Sequence, residues 1–431
     1  MKIGFLSLPI SGHLNPMIAL ARKLQSRGND VVYFGVPDVE PVARAANLRF
    51  VSFGEEEFPV GSMARLWGEV ANMHGLDVVK YSATKIIPRL LRSTLEELPG
   101  KLAETGVQAL VLDVICRFAE LVPMQLGMPY IQVYPILHYD SSGATPLCYF
   151  SWPYEATPEA RARNLEGLKL FREIRVNTLA LGKAYAEKVG MQVDWNNPAA
   201  TVSKLAVISQ VPKEFDFPIP ELPPQFHYAG PFSDDAGREP VPFPWQMLTD
   251  EPLIYVSLGT LLNGLTEVYR SILRAVEKLR GIQVVISVGK NIDIRDLGPV
   301  PSNIIVVRSA PQIALLKRAA LCITHGGLNT VLEALSQGVP MVAIPLGYDQ
   351  PGVAARIAYH GAGEFVEVED ATAERLSELT QRVLTTPSYR DKARYFQKVI
   401  AETHGVDVAA DIIERAFEES LTKEQRELVA K

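Results

Sequence analysis

Short apolar runs alternate with longer helical patterns along most of this 431-residue chain, and that alternation constrains the fold more than any other feature. The runs are rich in Val, Ile and Phe and nearly continuous in hydrophobicity, as strands are when both faces of a parallel sheet are covered. Strands are predicted at Ile3–Leu8, Val31–Val36, Leu48–Phe53, Ala109–Asp113, Tyr130–Tyr134, Leu205–Ser209, Leu253–Leu258, Gln283–Val288, Ile304–Val307, Ala320–Thr324, Met341–Pro345 and Glu364–Val368. Helices fit between them, so the pattern predicts an α/β fold.

A proline-rich segment divides these strands into two series. Pro has no N–H for a strand ladder and cannot continue a helix, so residues 213–244 are predicted to form an extended linker. The limits that follow are 1–212 for an N-terminal domain, 245–404 for a C-terminal domain, and 405–431 for a terminal helix that can pack back on the first domain. Two such arrays predict two doubly wound, Rossmann-like domains that face each other across a cleft.

Composition excludes several classes of protein. The net charge is −6 and no long run of Lys or Arg occurs, which argues against nucleic acid or an anionic membrane as the main partner. No stretch approaches the roughly 18 to 20 apolar residues that span a bilayer, so membrane contact would be peripheral and would need a lipid-like acceptor. The three cysteines, Cys116, Cys148 and Cys322, fit no zinc spacing and no disulfide framework, which favours a reducing cytoplasm.

Gly12-His13 and Asp113 form a first candidate site. His13 follows the first predicted strand and precedes a helix that Asn15 could cap, and Asp113 ends the fourth strand. Both residues therefore lie at the edge of a parallel sheet where ligands bind. A carboxylate beside a histidine fixes its tautomer and stabilises the imidazolium, so the pair can act as a general base and its orienting partner. A loop-packing histidine and a solvated strand-end aspartate remain the alternative.

A second and more specific constellation runs from Ala310 to Gln350. Gly326 and Gly327 stand between a strand and a helix, where backbone amides and the helix dipole favour a diphosphate. His325, Asn329 and Thr330 add side-chain donors beside them. Glu333, one turn deeper, is predicted to accept from the ribose hydroxyls, while Asp349 and Gln350 are predicted to end the next strand and to face a sugar ring.

Other nucleotide and metal motifs are absent from the sequence. No Gly-x-Gly-x-x-Gly follows a strand, and Gly289-Lys290 lacks the flanking residues of a phosphate loop. No Asp-x-Asp occurs anywhere, so we expect neither a metal ion nor a bound cofactor.

With these motifs the sequence resembles the family 1 glycosyltransferases of the two-Rossmann fold, known as GT-B, including plant natural-product enzymes and bacterial macrolide and carotenoid transferases. The resemblance covers the whole chain and implies that the first domain binds the acceptor and the second the nucleotide sugar. It implies catalytic roles for His13 and Asp113, and sugar contacts for Asp349 and Gln350. The implied nucleotide and diphosphate contacts are Gly12, Thr260, Ser309, Ala310, Gln312, His325, Gly326, Gly327, Leu328, Asn329, Thr330 and Glu333.

Two departures leave the donor open between UDP and dTDP. Plant members usually carry Trp where Ser309 and Leu328 stand here, and the change resembles bacterial members. Gln350 favours glucose within the family.

The expected activity is inverting transfer of a hexose, glucose first, from a UDP-sugar to a hydroxyl of a lipophilic small molecule such as a phenol, flavonoid, macrolide, terpenoid or carotenoid. The alternatives are a sugar-nucleotide epimerase or lipid-acceptor transferase on the same fold, and a non-catalytic nucleotide-binding module. The acceptor pocket is expected to come from Pro59–Thr84 and Ile136–Arg175.

Overall fold

The computed structural model describes residues 1–233 and 241–420 and contains two parallel sheets with helices on both faces. Strand side chains such as those of Ile3, Val111, Val256 and Ile323 are completely buried, which explains the continuous apolar runs. The first sheet contains β1 (Lys2–Leu6), β2 (Asp30–Gly35), β3 (Arg49–Ser52), β4 (Ala109–Asp113), β5 (Tyr130–Tyr134), β6 (Val207–Ser209) and β7 (Phe226–Tyr228). The second contains β8 (Leu253–Ser257), β9 (Gln283–Ser287), β10 (Ile304–Val307), β11 (Ala319–Thr324), β12 (Met341–Ala343) and β13 (Gly363–Phe365).

The α-helices connect and cover these strands, and several end at a glycine with positive φ, as at Gly106 and Gly127. The helices are α1 (Ser11–Ser26), α2 (Glu40–Ala45), α3 (Ser62–Gly68), α4 (Gly75–Tyr81), α5 (Ile87–Thr105), α6 (Leu121–Leu126), α7 (Pro158–Ile174), α8 (Val176–Lys188), α9 (Thr266–Glu277), α10 (Gln312–Leu316), α11 (Leu328–Ser336), α12 (Gln350–Tyr359), α13 (Ala373–Thr385), α14 (Pro387–Thr403) and α15 (Gly405–Ser420).

The strand order brings the predicted motifs together. The sheets run β3-β2-β1-β4-β5-β6-β7 and β10-β9-β8-β11-β12-β13, so the order reverses between β1 and β4 and again between β8 and β11. Thr260 and His325 follow β8 and β11, Asp113 is the last residue of β4, and His13 lies in the first turn of α1 rather than in a loop before it. Ligands in doubly wound sheets bind at such reversal points, beyond the carboxyl ends of the strands.

Three local expectations are wrong. Helix α1 begins at Ser11 with Ile10 as its N-cap, so Asn15 lies inside the helix and does not cap it. The predicted linker contains β7, which pairs in parallel with β6, so part of that segment belongs to the first sheet. Strand β12 ends at Ala343 rather than near Asp349, because a loop separates it from α12.

The chain passes from the first domain to the second and later returns to the first, and the two connections lie next to each other. Gly230 follows β7, and Gly405 begins α15, which lies along α1 of the first domain. Arg27 of α1 pairs with Asp411 and Glu414 of α15. A Cβ atom on Gly405 would lie 2.3 Å from the carbonyl oxygen of Gly230, so the two crossings touch through their backbones.

No helix among residues 1–233 and 241–420 combines the length and the apolar character that a membrane span requires.

Candidate active site

His13 and Asp113 form a buried pair at the carboxyl edge of the first sheet. Nδ1 of His13 lies 2.7 Å from Oδ2 of Asp113, and the two residues are 6% and 1% exposed. The same carboxylate accepts hydrogen bonds from the backbone N–H groups of Leu8 and Ile115. A carboxylate held in this way can only accept from the ring, so Nδ1 carries the proton and the lone pair lies on Nε2.

The glycine turn between β11 and α11 encloses the ring of His325. Gly326 has a φ of +78°, which favours glycine, and Gly327 is the N-cap of α11. A Cβ atom on Gly327 would lie 2.3 Å from Nε2 of His325, and one on Gly259 would lie 2.6 Å from it. Glycine is therefore favoured at 259 and at 327, because a side chain at either position would occupy the space of the His325 imidazole.

The protonation state of His325 follows from its surroundings. Burial lowers the pKa of its imidazole to about 4, although a hydrogen bond to the backbone of Ser257 opposes the shift. The ring is therefore neutral near pH 7 and offers one N–H rather than a positive charge.

Glu333 lies one turn into α11 and belongs to a polar cluster. Nε2 of Gln312 donates to Oε2 of Glu333 at 2.7 Å and lies 3.3 Å from the hydroxyl oxygen of Thr330. The hydroxyl of Tyr255 in turn donates to Oε1 of Gln312 at 3.2 Å. The amide of Gln312 thereby orients the carboxylate of Glu333 at the cavity wall.

Asp349 and Gln350 lie at the start of α12, Asp349 as its N-cap and Gln350 as its first residue. Oε1 of Gln350 accepts from the backbone N–H groups of Leu346 and Gly347, which leaves its amide N–H group for other partners. Oδ2 of Asp349 accepts from the backbone N–H of Leu137, a residue of the first domain, at 3.0 Å. Burial raises the pKa of Asp349, and that hydrogen bond opposes the rise.

Asn329, predicted to contact the diphosphate, lines the cavity and also joins the two domains. Its amide donates to the carbonyl oxygen of Gly12 at 2.8 Å, and its Oδ1 accepts from Nε2 of Gln210 at 2.9 Å. The start of α11 is thus tied to the backbone beside His13.

A cavity of about 360 Å³ between the domains brings most of the predicted residues together. The predicted residues that line it are Gly12, His13, Thr260, Gln312, His325, Gly327, Leu328, Asn329, Thr330, Glu333, Asp349 and Gln350. Asp113 lies behind His13, and Gly326 lies against Gln350. Ser309 and Ala310 precede α10 and do not line the cavity.

The first domain contributes a largely apolar wall that the sequence did not specify residue by residue. Among its members are Trp67, Val79, Ile87, Ile136, Tyr149, Phe171 and Arg175. Most lie in or beside the two stretches expected to form the acceptor pocket. Trp152, in contrast, stacks on Phe150 at 3.9 Å between ring centroids and lies outside the wall. Periodicity could not separate these roles, because packing aromatics and pocket aromatics look alike in a sequence.

Within residues 1–233 and 241–420, no cluster of three or more His, Cys, Asp or Glu side chains is arranged to hold a metal ion.

Comparisons with known proteins agree with this geometry. The family model for UDP-glucoronosyl and UDP-glucosyl transferase matches residues 175–402, more than half of the chain. Zeaxanthin glucosyltransferase of Pantoea ananas is 29% identical over 95% of this chain and 94% of its own. NDP-glycosyltransferase YjiC of Bacillus subtilis (strain 168) is 27% identical over 97% and 98%.

The fold agrees with solved structures as well. CalG4, the calicheamicin glycosyltransferase, superimposes with a TM-score of 0.74 at 21% identity, covering 98% of this chain and 99% of that one. Together with the family match, the two facing parallel-sheet domains and the interdomain cavity identify the chain as a glycosyltransferase of the GT-B fold that belongs to the UDP-glucoronosyl and UDP-glucosyl transferase family.

Proposed function

We propose that this protein transfers a hexose, with glucose the first candidate, from a UDP-sugar to a hydroxyl of a lipophilic small molecule, with inversion at the anomeric carbon. The observation that carries the proposal is the oriented His13–Asp113 pair, which lies in the same cavity as the N-terminus of α11. The general base His13 and the anion-binding N-terminus of α11 thus face the same cavity. The naming of one relative as a zeaxanthin glucosyltransferase supports both glucose and an apolar acceptor.

The mechanism follows from the orientation of the His13 ring. Nε2 of His13 removes the proton from the acceptor hydroxyl while the oxygen attacks the anomeric carbon. The bond to the diphosphate breaks on the opposite face, so a single displacement inverts the configuration. Asp113 stabilises the imidazolium that forms, through the hydrogen bond at Nδ1.

The leaving diphosphate gains negative charge as the glycosidic bond breaks. The N-terminus of α11 offers free backbone N–H groups and a favourable dipole to that charge, and Thr260 adds a hydroxyl from the loop after β8. His325 contributes as a neutral donor, since burial lowers its pKa. These groups belong to the protein itself, and we propose that they replace a metal ion.

The donor sugar lies, in this proposal, against the start of α12. The free amide N–H group of Gln350 suits a sugar hydroxyl, because its carbonyl oxygen is already occupied by two backbone donors. Asp349 has one oxygen engaged by Leu137 and a second available as an acceptor. Glu333 would take the ribose hydroxyls.

Transfer from a panel of sugar nucleotides tests the proposal. The purified protein is incubated with UDP-glucose, UDP-galactose or dTDP-glucose and with phenol, flavonoid, terpenoid and carotenoid alcohols, and the products are identified by mass spectrometry. Proton NMR of the product anomeric centre should show a β-glucoside from the α-configured donor. An α-glucoside, or product formation by the His13→Ala variant at the wild-type rate, would contradict the mechanism. Transfer only from dTDP-glucose would replace the proposed donor.

A further inference from the structure

Arg175 places a positive charge in the acceptor half of the cavity. It stands between the end of α7 and the start of α8, and it lines the same space as His13. The neighbouring wall is formed mainly by apolar side chains such as Phe171, Ile136 and Ile87. A charged residue in such a wall is unusual unless it has a partner.

The guanidinium of Arg175 makes no hydrogen bond and no ion pair within the described parts of the chain. No carboxylate of residues 1–233 and 241–420 lies within ion-pair distance of it. The guanidinium carbon lies 5.1 Å from the centroid of the Phe171 ring, and at longer range its charge opposes the rise that burial causes in the pKa of Glu120. The contrast with Arg117 is informative, because Arg117 donates to the hydroxyl of Tyr139 and to the carbonyl of Pro198. Arg175 is therefore half-buried with its donors still available.

Thr178 adds a second polar group three residues further on. It lines the cavity, its side chain is fully buried, and its hydroxyl has no hydrogen-bond partner among the described residues. Arg175 immediately precedes α8 and Thr178 lies in the first turn of that helix, and both line the same cavity. Buried hydroxyls are nearly always hydrogen-bonded, so an unpaired hydroxyl near a guanidinium that makes no hydrogen bond points to an acceptor that a ligand supplies.

We propose that Arg175 and Thr178 form a subsite for a carboxylate on the acceptor, so that the acceptor class is an apolar hydroxy acid. This rests on the proposed function, since the hydroxyl of the same molecule must reach His13. The planar guanidinium fork matches the two oxygens of a carboxylate, and the hydroxyl of Thr178 can donate a further hydrogen bond. The apolar wall between His13 and the Arg175–Thr178 subsite accommodates the hydrocarbon or aromatic part of the acceptor.

Matched pairs of acceptors test the subsite. Para-coumarate and ω-hydroxydodecanoate are each compared with their methyl esters, which keep the hydroxyl and the apolar body but lack the charge. Acceptor binding is measured by calorimetry, and kcat/KM is measured with UDP-glucose. For at least one pair, the wild type should favour the acid by about 10- to 100-fold, the range expected for a charged hydrogen-bonded pair.

Variants separate the subsite from a general effect on folding. Arg175→Gln should lower kcat/KM for the acid more than for the ester, so that the preference for the acid is lost. Arg175→Lys should keep part of the preference, and Thr178→Val should reduce it by a smaller factor. Arg172→Gln is the matched control, because Arg172 is exposed on α7 and does not line the cavity. Thermal unfolding checks that each variant is folded.

The outcomes distinguish this inference from the proposed function. If acids and esters are glucosylated equally well, or if Arg175→Gln weakens both alike, the carboxylate subsite is wrong while the transferase proposal stands. If acids bind in an Arg175-dependent manner but no sugar is transferred to any acceptor, the subsite stands and the proposed transfer is wrong.

Discussion

Arg356 of α12 donates from Nε and Nη2 to Oδ1 of Asp216, at 2.9 and 2.8 Å, and so pairs the second domain with the first in a fully buried contact. The other carboxylate oxygen accepts from the hydroxyl of Tyr228 at 2.5 Å and lies 2.9 Å from Nε2 of His138. These neighbours, His138 and Arg356 above all, hold the pKa of Asp216 well below its ordinary value despite the opposing effect of burial. The helix that begins with Gln350 is therefore fixed to the first domain near its far end.

Breaking this pair should be costly. Arg356→Met leaves the charge of Asp216 buried without its main partner, and we expect the free energy of unfolding to fall by about 3–5 kcal/mol. The double variant Arg356→Met/Asp216→Asn should lose less than the sum of the single variants. Chemical denaturation measures all three, with Arg295→Met at the exposed Arg295–Asp293 pair as a control expected to change stability by less than about 1 kcal/mol. Additive losses would show that the two residues are not coupled.

Replacing His13 should separate catalysis from donor binding. We expect His13→Ala to lower turnover by about 10²–10⁴-fold, because general-base catalysis is lost, while UDP affinity stays close to that of the wild type. Asp113→Asn should lose less, since the amide oxygen can still accept from the backbone at Leu8 or Ile115. Steady-state kinetics and calorimetry measure both effects, with His74→Ala as a control outside the cavity. Turnover of His13→Ala within a few-fold of wild type would exclude the base assignment.

Glu333 and Gln350 should act on different ends of the donor. Glu333→Ala is expected to weaken both UDP and UDP-glucose by about 5- to 150-fold, because it removes a buried hydrogen-bond partner. Gln350→Glu keeps the oxygen that accepts from Leu346 and Gly347 but loses the amide N–H group, so it should spare UDP and weaken only the intact donor. Calorimetric titration with both ligands decides the matter. Equal losses of UDP affinity in the two variants would reverse the predicted orientation.

The buried imidazole of His325 should make stability depend on pH. Its pKa is lowered to about 4 by burial, while an unfolded histidine titrates near 6.5, so between these values the unfolded chain binds a proton that the folded protein does not. The free energy of unfolding should therefore fall as the pH drops from about 6.5 to 4, by up to about 1.4 kcal/mol per unit. His325→Gln should show a shallower fall in denaturation measured at several pH values. An unchanged slope would mean that other groups cause it.

Removing divalent metal should leave activity intact. The proposed stabilisation of the diphosphate comes from the α11 N-terminus, Thr260 and His325, so dialysis against EDTA is expected to change kcat by less than two-fold. Turnover is measured before and after dialysis and again with added Mg²⁺ or Mn²⁺. Activity that is lost and then restored only by one of these ions would overturn the expectation.

Sequence patterns located most strands because burial on both faces leaves an unmistakable apolar run. Ala109–Asp113 and Tyr130–Tyr134 have the predicted limits. Phe226–Tyr228 was missed because it is only three residues long and lies among prolines. The start of α1 was misplaced because Ile10 caps it without a side-chain hydrogen bond, which leaves no capping residue to recognise.

The parts of the candidate site that could be predicted are those where a residue with catalytic chemistry stands at the carboxyl end of a strand. His13 and Asp113 were expected to meet because both lie at the carboxyl edge of one parallel sheet, and the structure pairs their strands, β1 and β4, directly. The link from Asn329 to Gly12 and the contact from Asp349 to Leu137 were not expected, since each depends on how one domain is placed against the other. Nothing local in a sequence encodes that placement.

The contact between Gly230 and Gly405 has a mechanical consequence. Two covalent connections between the domains touch at this spot, so we expect any rotation of one sheet against the other to have its axis near these two glycines. Displacement in such a rotation grows with distance from the axis, so the walls of the cavity would separate far more than the two glycines. A larger residue at Gly405 would push the two connections apart by the width of its first side-chain atom. We expect the resulting displacement to be greater at the cavity, beside His13, than at Gly405 itself.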